Sequence, residues 1–195
     1  MSAVFKLTYG LFILSAKDGD KDNACIINTG MQVTDSPLQM SITVNKKNFT
    51  HDMIMKTSEF NLSVLSQETP FEVFRQFGMQ SGKDTEKFQG EIKRMSNGIS
   101  YIEDMANAVF SVKVNKTVDV GSHTIFIGNV TEQKVLSEVP SVSYQYYFDH
   151  IKPKPEAKKK GYVCKICGYV YEEDVLPEDF VCPLCKHGAI DFEPL

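Results

Sequence analysis

Four cysteines in two tight pairs, Cys164-Lys-Ile-Cys167 and Cys182-Pro-Leu-Cys185, constrain this chain more than any other feature. Each C-x-x-C forms a turn that points two thiolates at one ion, and two such turns close a tetrahedral sulfur cage. Fourteen residues, Gly168 to Val181, separate the pairs. The pattern predicts a metal site made by Cys164, Cys167, Cys182 and Cys185. An all-thiolate tetrahedron serves iron and zinc alike, so a redox centre and a structural zinc ribbon both stay open. The fifth cysteine, Cys25, lies between Ala24 and Ile26 in a β-rich run and reads as a small buried hydrophobe.

Paired cysteines of this kind suit metal ligation in a reducing compartment better than disulfides, which points to a cytoplasmic protein. No apolar run approaches the ~20 residues of a spanning helix, and the first residues, MSAVFKLTYG, lack the charged head and unbroken apolar stretch of a signal peptide. No membrane is expected. With 195 residues there is room for one domain of ordinary size plus a small module, and 42% hydrophobic residues can furnish a packed core. The net charge of −4 is spread out and supplies no field to draw the chain onto nucleic acid.

The clearest seam is HIKPKPEAKKKG, residues 150–161, with two prolines and five lysines. It reads as an extended, solvated tether. The division expected is 1–150, a basic linker 151–160, and 161–195. Before the seam the pattern is mainly β. GLFILSA and NACIINTGMQV flank a DGDKD turn as a hairpin, and LQMSITVN, FNLSVLS, AVFSVKV, HTIFIGNV and SVSYQYYF are further strands. Thr50 would cap a helix over HDMIMKTSEF, and FEVFRQFG after Pro70 has helical spacing. So many short strands predict a closed or nearly closed antiparallel barrel.

The tail from Tyr162 to Phe192 resembles a rubredoxin, in Cys164-x-x-Cys167-Gly-Tyr-Val-Tyr and Leu-Pro-Glu-Asp-Phe-Val-Cys182-Pro-Leu-Cys185. The resemblance implies one iron on four cysteines. Gly168 would let the first turn bring backbone N–H groups toward sulfur, and Tyr169, Tyr171, Phe180 and Phe192 would form an aromatic cover. The segment is shorter than a full rubredoxin between its pairs and lacks Trp, which keeps zinc as the alternative metal.

The larger part contains neither G-x-G-x-x-G after a strand nor a G-x-x-x-x-G-K-[ST] loop, which excludes a Rossmann nucleotide site and a P-loop. It resembles the flavin reductase-like, FMN-binding split-barrel family, flavoredoxins included. The resemblance is carried by Gly10-Leu-Phe-Ile-Leu-Ser15, the run Asn23 to Thr34, Pro37, Val44 to Thr50, Phe60 to Leu65, Ser81-Gly82-Lys83-Asp84 with Lys87-Phe88, and Val120 to Gly128. It implies that Gln32, Val33 and Thr34 line the flavin and ribityl chain. Asn45, Lys46, Asn48 and Thr50 would reach the ribityl and phosphate end, with Ser81 and Lys87 completing the cradle, where charged donors strengthen anion binding. Without the resemblance, Thr34, Thr50 and Ser81 would read as turn and cap residues. His123 opens a β run after Gly121-Ser122; the resemblance makes it the catalytic candidate near the flavin or nicotinamide face, and a strand-end histidine bonded to backbone is the other reading.

Joined, the two parts resemble a high-molecular-weight rubredoxin. That implies hydride transfer from NAD(P)H to FMN, single-electron transfer to the four-cysteine iron, and delivery to an acceptor protein, a flavodiiron oxygen or nitric oxide reductase. It also implies a homodimer. The alternatives are an electron carrier reduced by another protein, and a flavin reductase whose tail is a zinc ribbon.

Overall fold

The computed structural model describes residues 3–154 and 161–195. Most of the basic stretch expected as a tether, 155–160, therefore lies outside the described residues. Strand β1 (Phe12–Asp18) and β2 (Lys21–Ile27) form the expected hairpin, closed by Gly19 at φ +58°. β1 is buried on both faces, and the period of two explains how. Phe12, Leu14 and Ala16 point into one apolar cluster, whereas Leu11, before the strand, and Ile13 join a second cluster with Phe74 and Phe77. The strand thus divides an inner core from an outer one.

The run NACIINTGMQV is two strands rather than one, since β3 (Met31–Asp35) starts after a break at Asn28–Gly30. β4 (Leu38–Asn45), α1 (Phe49–Thr57), β5 (Glu59–Leu65), α2 (Phe71–Gly78), β6 (Ala106–Asp119) and β7 (His123–Val135) follow. All seven strands pair antiparallel in the order β2-β1-β5-β6-β7-β4-β3. β2 and β3, neighbours in sequence, stand at the two ends of that order. Between them Thr29 Oγ1 donates to Thr43 O at 2.8 Å, tying the connection back to β4. The sheet therefore curls into a split barrel, and the fold is mainly β as expected.

Phe60, Leu62, Ile42, Val44 and Phe126 fill the interior, with Met53 and Ile54 of α1 plugging it. Burying each such side chain contributes roughly 1.5–3 kcal/mol. α1 begins two residues earlier than expected. Asn48 is its cap, accepting from Thr50 N at 3.0 Å, because an Asn side chain competes well for the orphan N–H groups of a first turn. α2 starts just after Pro70 as expected and buries Phe74 and Phe77.

SVSYQYYF is not the strand expected. Only 141–143 behave as extended chain, where Val142 exchanges backbone bonds with Leu11 and Leu65. Ser143 then caps a helical turn, α3 (Tyr144–Tyr146), that runs into a π-helical turn, Tyr147–Ile151. The aromatic spacing fits both periods, and Tyr147 is drawn under Phe74, with ring centroids 4.6 Å apart.

The tail forms a three-stranded sheet, β8 (Tyr162–Cys164), β9 (Val170–Tyr171) and β10 (Phe192–Pro194), in the order β10-β8-β9. Its core is the cysteine cluster with Phe192, and Tyr162, Tyr169, Tyr171, Leu176 and Phe180 pack around it. The expected aromatic cover is present: Phe180 meets Tyr171 at 4.5 Å and Phe192 at 5.3 Å between centroids. Met79, just past α2, packs against this cluster. Lys152 lies over the Phe148 ring and donates to the Lys165 carbonyl. No helix among the described residues is long and apolar enough to cross a membrane.

Candidate functional site

The two cysteine turns face each other. All four sulfurs lie within 4.8 Å of one another, with Cys164–Cys185 at 3.6 Å and Cys167–Cys182 at 3.5 Å. A tetrahedron with metal–sulfur bonds of about 2.3 Å needs sulfurs about 3.8 Å apart, so the cage fits a single ion. Backbone donors face the sulfurs: the N–H groups of Ile166 and Cys167 toward Cys164, of Tyr169 toward Cys167, and of His187 toward Cys185. Gly168, at φ +81°, turns the first knuckle so that the Tyr169 donor arrives, as the sequence suggests. The sulfurs compete for protons. The hydrogen bond from Cys185 pushes Cys167 down to about 5 and pushes Cys185 itself up, while burial raises Cys164. Four thiolates this close repel one another, so a bound cation would be what replaces their protons.

Beside it lies a cavity of about 400 Å³. The barrel supplies Lys47, Asn48, Phe49, Ser81, Gly82 and Lys87, and the second knuckle supplies Pro183, Leu184, Cys185 and Lys186. An adjoining cavity of about 250 Å³ shares Ile26, Gly78, Met79 and Cys185 with it and adds Tyr147. Cys185 thus borders both. Burial raises the Tyr147 hydroxyl, with Tyr144 and Cys167 adding to the effect.

The loop at 81–85 is held against β2 by a short relay. Asn23 Nδ2 donates to Thr50 Oγ1 at 2.8 Å, and Asn23 Oδ1 packs so tightly on Gly82 that a Cβ there would sit 1.8 Å away. Lys87 is buried and donates to Ala24 O at 2.8 Å and Phe77 O at 2.9 Å, tying the end of α2 to β2 at the cavity. Burial lowers its pKa. Cys25 is buried, as expected, and borders the cavity; burial raises its thiol pKa, with Thr50 and Asn48 as opposing hydrogen-bond partners.

Of the residues singled out in the sequence, Asn48, Ser81 and Lys87 meet around the cavity, and Thr50 sits directly behind it. A second group gathers at the β4–β7 end. Lys46 binds both carboxylate oxygens of Asp119 at 2.7 Å, and Asn45 pairs in register with His123, whose Nδ1 meets Ser122 Oγ at 2.8 Å. That lysine holds the Asp119 carboxyl below its usual range. Gln32, Val33 and Thr34 lie on β3, exposed at the sheet edge, and border neither cavity. Lys47, Asn23 and Gly82 stand in the sequence pattern without a role that the sequence alone assigns. The turn in which Asn45 Oδ1 accepts from Lys47 N is what sends Lys47, rather than Lys46, to the cavity.

Comparison with known proteins agrees with both halves. The flavin reductase like domain family matches residues 4–154, and the rubrerythrin, rubredoxin-like domain family matches residues 162–193. The high molecular weight rubredoxin of Moorella thermoacetica is 35% identical over 99% of this chain and 98% of its own length. The ferric-chelate reductase (NAD(P)H) of Archaeoglobus fulgidus is 34% identical over 84% of this chain and 96% of its own. The NADH:FAD oxidoreductase SgcE6 of Streptomyces globisporus C-1027 shares the fold, with a TM-score of 0.65 at 21% identity over 72% of this chain and 83% of that one. Near end-to-end similarity, a split barrel and a four-sulfur cage together place the chain in the high-molecular-weight rubredoxin family, oxidoreductases that join a flavin reductase-like domain to a rubredoxin-like domain.

Proposed function

We propose that this chain is an NAD(P)H-dependent flavin/rubredoxin oxidoreductase that binds FMN in the larger cavity, holds iron on its four cysteines, and passes electrons to an acceptor protein of the flavodiiron oxygen or nitric oxide reductase type. The observation that carries the reading is Cys185, a sulfur of the cage that also borders the cavity of Asn48, Ser81 and Lys87. FMN, when bound, accepts a hydride and releases electrons singly, which suits a one-electron metal partner.

The chain's own residues supply position and electrostatics. Lys47 offers a cation, Ser81 a hydroxyl donor, and Gly82 close backbone approach, while Phe49 and Phe77 supply apolar wall. Lys46 is committed to Asp119, so the phosphate role expected of it passes to Lys47. His123, Asn45, Gln32, Val33 and Thr34 are proposed to act only where a nicotinamide or a second copy approaches. A homodimer is supported by exposed apolar side chains along β3 and the β6–β7 tip, Met31, Val33, Val118 and Val120. The Archaeoglobus fulgidus relative, a ferric-chelate reductase (NAD(P)H), and the flavin reductase like family support a nicotinamide donor.

Iron-loaded and zinc-loaded protein separate this reading from a flavin reductase with a structural tail. With NADH or NADPH, both forms should reduce their flavin, and only the iron form should reduce a flavodiiron acceptor. Equal acceptor reduction by the zinc form would overturn the electron path.

A further inference from the structure

The two cysteine knuckles are built alike, and they differ at one informative position. One residue past the second sulfur of each knuckle the backbone is left-handed: Gly168 at φ +81° in the first and Lys186 at φ +61° in the second. Glycine takes that conformation without a Cβ penalty, and lysine does not. Among the described residues only Ser58 and Lys186 hold it without being glycine. Space does not explain the difference, because a Cβ at Gly168 would meet nothing closer than 3.8 Å. A lysine therefore stands at 186 against local backbone preference.

Its surroundings suggest what the side chain gains. Residues 161–195 carry a net charge of −5 and contain two lysines, Lys165 and Lys186. Lys165 Nζ donates to the Ile190 carbonyl within its own module, whereas Lys186 lines the cavity opposite the barrel's Lys47 and Ser81 loop. Neither Lys47 nor Lys186 has an acidic partner within 4.0 Å among the described residues. Asp84 is the one acid in the lining, and the Lys87 ammonium is occupied by two carbonyls. Among the described residues the cavity is left with two cations that have no acidic partner, one from each module, and a phosphate monoester is the anion that a flavin would bring.

We propose that Lys186 is a phosphate-binding residue supplied by the metal module: it joins Lys47 on the dianionic phosphate of FMN, so that the second knuckle closes the cavity and cofactor binding holds Cys185 in place. The inference rests on the FMN reading above. Coupling of this kind is reciprocal, so bound FMN stabilises the docked knuckle by the factor that the docked knuckle adds to FMN affinity.

The test uses full-length, zinc-loaded protein, which removes redox change, and titrates FMN and riboflavin by quenching of flavin fluorescence. Riboflavin has the same ring without the phosphate. Lys186→Gly suits the left-handed backbone, and its zinc content reports an intact module. It should weaken FMN by about 10-fold, the range for losing a charged hydrogen-bond partner, and leave riboflavin unchanged. Lys186→Arg should stay within about threefold of the natural protein. FMN should slow zinc loss to a chelator in the natural protein, and lose that effect in Lys186→Gly. Unaltered FMN affinity in Lys186→Gly, or equal loss for FMN and riboflavin, overturns the proposal while leaving the FMN site standing. Natural protein that binds FMN no better than riboflavin removes the FMN reading itself.

Discussion

Asn23 and Gly82 are in contact so close that a methyl group at position 82 would stand 1.8 Å from Asn23 Oδ1. The same asparagine donates to Thr50 at 2.8 Å, so strand β2, helix α1 and the 81–85 loop meet at one amide. Gly82→Ala must push either the Asn23 amide off Thr50 or the loop off the barrel. FMN affinity should fall at least tenfold by fluorescence titration, with a lower Tm. Removing the obstruction as well, in Asn23→Ala/Gly82→Ala, should recover part of the affinity.

Lys87 holds the end of α2 to β2 through the Phe77 and Ala24 carbonyls. Its burial opposes the charge, and loss of the ammonium leaves two buried acceptors unpaired, each costing about 1–3 kcal/mol. The second effect is the larger. Lys87→Met should lose about 2–4 kcal/mol in urea unfolding.

The four sulfurs join the two knuckles of a module whose apolar core is small, so metal should be folding energy for residues 161–195. Chelator treatment should abolish hydrogen-exchange protection of β8 and β10 and leave the barrel strands protected. Zinc should restore protection without visible absorbance, and iron should restore both.

Acid stability has an identifiable contributor. Ser96 donates to Glu132 Oε2 through Oγ at 2.5 Å and N–H at 2.9 Å, and with Lys134 it holds that carboxyl at about 2. A depressed native pKa gives stability that is present above the unfolded value near 4.5 and lost as pH falls toward 2. Glu132→Gln should lower Tm at pH 6, and the gap from the natural protein should close between about pH 4.5 and pH 2.

Much of this architecture is legible in the sequence because short-range rules dominate it. β4 begins and ends where LQMSITVN does, and α2 starts after Pro70. The cage follows from spacing alone, since a C-x-x-C turn has few ways to aim two sulfurs. SVSYQYYF misleads because its aromatic residues satisfy a period of two and a helical period alike, and packing under Phe74 decides between them. The cavity is legible only in part. Adjacent lysines at 46 and 47 are equivalent in a sequence, and a turn at Asn45 sends one to Asp119 and the other inward. The placement of Cys185 between barrel and metal is a tertiary fact with no local signal.

Rapid anaerobic mixing of FMN- and iron-loaded protein with NADH and NADPH, following flavin and ferric-thiolate absorbance together, tests most directly whether electrons cross at Cys185. The expected result is flavin bleaching followed by loss of the ferric band at a rate independent of protein concentration. Flavin that bleaches while the iron stays ferric would contradict the electron path built on that sulfur.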